Sequence, residues 1–578
     1  PKLVLGNLKD LSVPLYSHHY YVDAEPYVET INTQDGNSSN DVRLVVGGLG
    51  RGGKGYYCLN LTGVESGTFD AETQAGQVVM WEFDGGVFNA DDMGYSFSDA
   101  YIVNSRDGWV AIFGNGYEST SGQAVLFIVK LDSTGGISDY RAIETLSGDP
   151  GADLCNGLST PTLVDVDLDG LVDYAYAGDL LGNMWKFDLT GDTIGSWAVA
   201  YENSGTPKPL FTARNVDGTI QPITAKPDVM KHCGIDKGYM VVFGTGRYLG
   251  TEDLDDIGTT QTVYGIWDWQ DAWEDMGSSI DDKYLGEFTA SRQLSNMLSN
   301  PNIDGADEWV YTIDLTSASL LDEVTINGVS FSKALVKDVS LRRFTNAAAL
   351  AECINNSTYG VSGARADGAG YLVSVRSDPP GSSLSVSVSG GISVSDERIV
   401  AGLLEQYVVY HTDQLIVLSD SAVDWFSPSR NNGRHVGWYF DLQGNSERVI
   451  NDILIRDGKA IVLATVPSSD PCTSGGHTIE FLVNACTGGR VAAAVFDING
   501  DGRIDTHDLI NIGSFANPIW VAPTGMKRGG IWYTPAILSK GRNGEDILYF
   551  STSEGEIETE LVAGEQLGMY YWRLWRQD

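Results

Sequence analysis

Two stretches of this chain set oxygen ligands at intervals that suit a hard divalent cation. In DVDLDGLVD the carboxylates of Asp165, Asp167 and Asp169 alternate along the chain, and Gly170 follows where the backbone must turn sharply. The calcium-loop pattern adds a carbonyl at its seventh position and a side chain at its ninth, here Leu171 and Asp173. Carboxylates this close repel one another and stay partly protonated unless a cation joins them, so the expected ligand is calcium. Position twelve holds Tyr176 instead of a bidentate Glu, and the following residues alternate as in a strand. The loop therefore feeds a β-strand and not a second helix. In DINGDGRIDTHD, Asp497, Asn499 and Asp501 take positions one, three and five, the Arg503 carbonyl seven, Asp505 nine and Asp508 twelve. The shorter Asp508 predicts one-oxygen coordination and a looser site, and the LINI that follows reads as a short helical turn. Two calcium ions are expected, and the plainer reading of each is that it staples the fold.

Other chemistry is not signalled. The chain has no GxSxG elbow, no HExxH, no phosphate-cradling GxxxxGK[ST] and no strand-anchored GxGxxG with an acidic partner. Its histidines are dispersed, and His232 beside Cys233 reads as a structural pair. Carboxylates are abundant, but sequence does not set two of them across a cleft as a glycosidase needs. Trp267, Trp269 and Trp273 form the densest aromatic cluster; core packing is the plain reading and a ligand-stacking platform the sharper one.

The elements that must hold these loops recur. LVVGGLGRGGKGYYCLNLTG, VAIFGNGYESTSGQAVLFIVKLDSTG, DYAYAGDLLGNMWKFDLTG and MVVFGTGRYLG with TVYGIWDW share an apolar strand, a Gly-rich turn and a second apolar or aromatic strand. Gly48, Gly114, Gly178 and Gly244 fall at spacings of 66, 64 and 66 residues, the mark of stacked repeat units. The expected fold class is all-β, a propeller of about six to eight blades; a row of β-sandwiches is the alternative. Residues 1–274 read as the N-terminal blades. Residues 275–430 break the period and read as an insertion or accessory β-rich region, with a short helix at NAAALAEC and an exposed strand pair in SSLSVSVSGGISVSDE. Residues 431–578 resume the blades, carry the second calcium loop, and end in GMYYWRLWRQD, a strand placed to close the ring against the N-terminal strands.

Composition bounds the partners. With 68 Gly, 27 Tyr and 14 Trp the chain suits many short strands and tight turns. A formal charge of −40 argues against nucleic acid and anionic membrane surfaces, because a phosphate-binding face needs clustered Lys and Arg and no basic stripe is evident. No apolar run reaches the roughly 18–20 residues of a membrane span. The chain opens at Pro1 without a signal peptide and reads as a mature or excised part of something longer. Six scattered cysteines contain no CxxC pair. Cys472 and Cys486 bracket a predicted hairpin and are candidates for a disulfide, although spacing does not fix the connectivity.

Some of these segments are familiar. GNMWKFDLTG resembles the repeats of quinoprotein dehydrogenase propellers, and VDVDLDGLVDYAYAGD those of calcium-bearing integrin-type propellers. More specific is an ordered set: LVVGGLGRGGKGYYCLNLTG, LSTPTLVDVDLDGLVDYAYAGDLLGNMWKFDL, VVFGTGRYLG with QTVYGIWDW, then GWYFDL, VPSSDPC and CTGGR. Outside 275–430 this set is similar to the C-terminal propeller of the PilY family of type IV pilus biogenesis factors and tip adhesins. The resemblance implies a non-enzymatic, calcium-binding propeller. It would be exported through the periplasm to the cell surface or pilus tip, resting on minor pilins and touching host or abiotic surfaces. It assigns the extension-to-retraction switch of that family to Asp165, Asp167, Asp169, the Leu171 carbonyl and Asp173. The family's von Willebrand A-like region with its DxSxS motif is not in this chain, and a single dockerin-like loop argues against a cohesin partner. The alternatives are a quinone-dependent (PQQ) dehydrogenase, whose adjacent cysteines have no counterpart here, and an integrin-like adhesive propeller unrelated to pili.

Overall fold

The protein is described from a computed structural model over residues 1–563, apart from 33–40, 66–74, 85–90, 150–154, 255–258, 270–284, 300–307, 378–383, 400–405, 410–414, 426–434, 469–474, 499–503, 513–518, 540–544 and scattered shorter gaps. The repeats fold as antiparallel sheets whose strands follow one another in chain order. Blade I runs through Tyr27–Ile31, Val42–Gly48, Gly55–Asn60 and Val79–Asp84; blade II through Tyr101–Ser105, Gly108–Gly114, Val125–Leu131 and Ile137–Glu144. Blade III has Thr162–Val164, Tyr174–Gly178, Asn183–Asp188 and Ala198–Val199. Blade IV has Asp228–Lys231, Tyr239–Gly244 and Thr262–Asp268, and Gly437–Asp441 returns from much later in the chain to pair with its third strand. Blade V is built on Leu454–Arg456, Lys459–Pro467, Gly476–Asn484 and Gly525–Gly529, and blade VI on Ala536–Ser539, Glu545–Ser551 and Ile557–Ala563. The architecture is an all-β propeller.

Side chains alternate across each sheet, and in the middle of the ring both faces are apolar. In blade II, Ala111, Phe113, Phe127 and Val129 pack against blade I residues such as Phe83, while Val110, Ile112, Leu126 and Ile128 pack against blade III residues such as Ala175 and Phe187. A further core joins blades III, IV and V, with Trp267 and Trp438 fully buried in it. Between blades III and IV the buried Lys186 Nζ lies 2.8 Å from Asp268 Oδ2, which also accepts from Tyr176 Oη at 2.6 Å, so the interior charges are paired.

The repeat glycines close the second strand of blades I to IV, and each is crossed by the segment that leads to the next blade. A Cβ at Gly114 would lie 2.4 Å from Ser159 O, one at Gly178 2.2 Å from Ile223 Cγ2, and one at Gly244 2.4 Å from Val449 Cβ. Close approach, not backbone conformation, requires glycine at these positions. The lead-in segments also meet one another: Asp99 N donates to Thr160 Oγ1 at 3.0 Å, Lys226 N to Asp452 Oδ1 at 3.1 Å, and Thr534 Oγ1 to Asp452 O at 3.3 Å.

Residues 308–399 build a separate core from two four-stranded sheets and a nine-residue helix, Ala347–Asn355, capped by Asn346 Oδ1 accepting from Ala349 N at 2.9 Å. The helix falls where NAAALAEC predicts it. The Ser/Val alternation does not form the expected strand pair: Val386–Val388 joins Glu323–Ile326 in one sheet and Ser393–Ile399 joins Glu308–Asp314 in the other. The limits 275 and 430 also differ from the sheet boundaries, because Gly286–Phe288 pairs in blade IV and Ala290–Gln293 and Leu415–Leu418 extend the sheet of blade V. Residues 564–578, expected to close the ring, lie outside the described residues.

A disulfide joins Cys233 to Cys486, 253 residues apart, which corrects the pairing of Cys486 with Cys472. Stacking of blade IV beside blade V brings Cys233 to Cys486, a proximity that a hairpin reading of the sequence cannot detect; Cys472 itself lies outside the described residues. His232 beside it packs against Trp267 and Trp425, with ring centroids 4.8 and 4.5 Å away, as its structural reading predicts. Trp267 and Trp269 are buried in the core, and Trp273 is outside the described residues. No helix among the described residues is long and apolar enough to cross a membrane.

Candidate metal centre

The first acidic loop connects the first two strands of blade III, whose register pairs Val164 with Tyr174 across its mouth. The loop orders itself through its own carboxylates. Asp165 accepts from Leu168 N and Gly170 N, both at 2.8 Å, Asp167 Oδ1 from Asp169 N at 3.2 Å, and Asp169 Oδ1 from Leu171 N at 2.9 Å. Gly170 turns the chain at φ 84°, a conformation that favours glycine, and nothing surrounds the position a Cβ would take. Two backbone bonds fasten the end of the loop, Val172 N to Asn104 O at 3.0 Å and Asp173 N to Val164 O at 2.9 Å.

This folding brings Asp165, Asp167 and Asp173 together, with one carboxylate oxygen of each within 4.8 Å of the others. Asp173 is buried, Asp165 half-buried and Asp167 exposed, so the cluster opens to solvent on one side. The carboxyl of Asp165 is raised above its ordinary range, first by burial and then by the charges of Asp169 and Asp173, against the lowering effect of its backbone donors. All candidate donors are oxygens, the ligand set of a hard cation, and the residues fit calcium.

Asp169 is not among the three carboxylates that converge, and the loop has a neighbour that sequence reasoning missed. Arg106, in the turn between the first two strands of blade II, donates from Nη1 to Asp173 Oδ1 at 2.7 Å and sets Nη2 3.8 Å from Asp169 Oδ2. Asp173 Oδ2 accepts from Val166 N at 2.9 Å. Each carboxylate oxygen has a second acceptor direction, so Asp173 retains ligand capacity beside Arg106. The signal for Arg106 is not in the loop's spacing; it comes from the preceding repeat, whose SRDG turn reaches across the blade joint.

Of the second loop, Asn499, Asp501, Arg503 and Asp505 lie outside the described residues. Asp508 is buried and accepts from Ile498 N at 3.0 Å, which ties the two ends of the loop together; Asp497 is half-buried. The expected helical turn at LINI is instead a short strand, Ile510–Asn511, which pairs with Trp520–Val521 and Asn296–Ser299.

An all-β propeller with an acidic loop between the first strands of one blade is the class that fold and site define. The PilY1 beta-propeller domain matches residues 5–289, about half of the chain, and together with the relatives this supports a PilY-family protein. It is 42% identical over 276 residues to a type IV pilus biogenesis factor PilY1 homolog of Xylella fastidiosa, covering 46% of this chain and 18% of that protein. It is 27% identical over 530 residues to the type IV pilus biogenesis factor PilY1 of Pseudomonas aeruginosa, covering 88% of this chain and 34% of the relative. The chain thus spans about a fifth to a third of the length of these relatives. The crystal structure of the P. aeruginosa PilY1 C-terminal domain shares the fold with a TM-score of 0.58 and 23% identity over 94% of this chain and 84% of that one.

Proposed function

We propose that this chain is a calcium-binding, non-enzymatic propeller of the type IV pilus machinery, acting at the cell surface or pilus tip in pilus extension and retraction and in surface adhesion, with minor pilins as its partners. The observation that carries the calcium reading is the convergence of Asp165, Asp167 and Asp173. The pilus reading rests on the relatives, which are named as biogenesis factors. When bound, calcium supplies the positive charge that offsets repulsion among these carboxylates. Asp165 and Asp167 hold the ion from the first half of the loop and Asp173 from the start of the second strand. Because Asp173 also receives Arg106, occupancy at the loop alters the contact between blades II and III, and this links the site to the face presented to a pilin. The second loop, from Asp497 to Asp508, is proposed as a structural calcium site.

The test is native mass spectrometry of the purified chain, followed by calcium titration calorimetry and capture of purified minor pilins with and without chelator. Two calcium ions are expected, one of them lost in Asp167→Ala, together with chelator-sensitive pilin capture. An unchanged calcium count in Asp167→Ala would remove the first site, and a stoichiometric quinone-sized mass would make the protein an oxidoreductase.

A further inference from the structure

The joint between blades V and VI holds two carboxylates and one cation. Glu480 stands on Gly476–Asn484 of blade V, opposite Leu463 and Met526, and Glu560 on Ile557–Ala563 of blade VI, opposite Leu548. Between them lies Arg528 of Gly525–Gly529. Its Nε and Nη2 donate to Glu480 Oε2 at 3.0 and 2.8 Å, and Nη2 also donates to Glu560 Oε1. The guanidinium carbon lies 5.0 Å from the ring centroid of Trp532, which packs in turn on Phe550 of blade VI. The side chains of Glu480, Glu560 and Arg528 are 0%, 10% and 19% exposed, and Ile461, Leu463, Leu482, Leu548 and Val562 form the apolar core of the joint.

One guanidinium does not satisfy this pair. Glu480 Oε1 and Glu560 Oε2 are covered and accept from no donor among the described residues, although the two carboxyls are within hydrogen-bonding reach of each other. Two ionised carboxylates in that place would repel one another with water excluded, and each orphaned oxygen would keep its full desolvation cost. A single proton held between them removes both faults: one carboxyl becomes a donor to the other, and the triad becomes neutral. Desolvation raises the Glu560 carboxyl well above its ordinary range, with the charge of Arg528 opposing and that of Glu480 adding.

The other charged groups of the joint are placed elsewhere. Asp546 accepts from Arg456 Nε at 2.7 Å, and Asp457 and Lys459 line the same cavity at that end. Asp497 is half-buried beside Phe496, and Glu554, Glu556 and Glu558 are exposed. His477 and Lys527 alternate away from the joint, toward the face of Ile479 that packs on blade IV.

We propose that Glu480 and Glu560 share one proton and that this proton latches blade VI to blade V, so that the joint tightens in acid and loosens as pH rises. Opening the joint separates the two carboxyls and exposes them to water, where they release the proton more readily. The latch is therefore complete at low pH and is lost as pH rises through the raised value of Glu560. This inference rests on neither calcium nor the pilus reading.

The test is hydrogen exchange of the full 578-residue chain at fixed calcium, read as amide protection in Glu545–Ser551 and Ile557–Ala563 at roughly pH 5.5 and roughly pH 8.5. Protection, corrected for the intrinsic pH dependence of exchange, should fall at the higher pH, by up to about tenfold for each unit by which the closed joint holds its proton above the ordinary carboxylate value. Glu560→Gln and, separately, Glu480→Gln put an amide donor where the proton was and keep the shape, so the blades should stay docked with protection that no longer depends on pH. Asp99→Asn, in the lead-in segments, should keep the parent's profile in blade VI. Equal protection of the parent at both pH values, or a fall that either Gln variant retains, would overturn the proposal. So would a fall that Asp99→Asn abolishes, which would place the titration in the lead-in segments.

Discussion

On the proposed calcium reading, Arg106 and the ion would share the charge of one carboxylate, Asp173. The Arg106 guanidinium is about a quarter exposed while Asp173 is buried, so the pair is a partly screened ion pair across a blade joint. Such a pair contributes on the order of 1 kcal/mol, and on the proposed reading that contribution would oppose calcium at Asp173. Arg106→Gln is expected to tighten calcium binding by roughly tenfold in calorimetry and to lower the melting temperature of the calcium-free chain slightly. Unchanged affinity would mean that the guanidinium moves aside at no cost. The loop itself was legible in the sequence, since alternate aspartates and the glycine that turns them are neighbours along the chain. Its partner was not, because a turn in the preceding repeat gives no local sign of the side chain it delivers.

At the scale of the strands, the repeat glycines are the elements that fix blade spacing. Their period was readable, and the structure supplies its cause: the lead-in to the next blade passes where a side chain would stand. Gly178→Val would press a branched side chain onto Ile223. Overpacking of this kind costs about 1–3 kcal/mol, and thermal unfolding should report it as a fall of several degrees. A melting temperature equal to the parent's would show that the lead-in yields freely. The Ser/Val segment shows where strand reading fails. Alternation marks a strand and its faces, but the partner depends on chain that lies far away, and here the two halves of the segment go to different sheets.

In the whole molecule the lead-in segments of several blades bring Glu25, Asp99, Lys226 and Asp452 near one another. The Asp99 carboxyl is pushed from the ordinary 3.8 up to about 7, first by burial and next by Asp452, with Glu25 adding and Lys226 opposing. Between those values the folded chain holds a proton that the unfolded chain has released. The associated stability is present at low pH and is lost as pH rises through about 7, on the order of a few kcal/mol. The chain should therefore melt higher at roughly pH 5.5 than at roughly pH 8.5, and Asp99→Asn should flatten that difference. A variant with the parent's pH dependence would assign it to other carboxyls, such as that of Glu560, which desolvation also raises.

What the sequence determined by itself is what neighbouring residues decide: the strand-rich repeats and their period, the acidic loop with its turn, the helix at Ala347–Asn355, and the family resemblance those segments carry. Tertiary structure alone decided the Cys233–Cys486 bond, the reach of Arg106 to Asp173, the return of Gly437–Asp441 to blade IV and the exposed leucines at the end of the 308–399 module. The physical reason is common to all four. Each depends on which distant segments stacking and sheet pairing bring together, or on which side chains packing leaves exposed, and neither is written in local spacing or in the net charge of the chain.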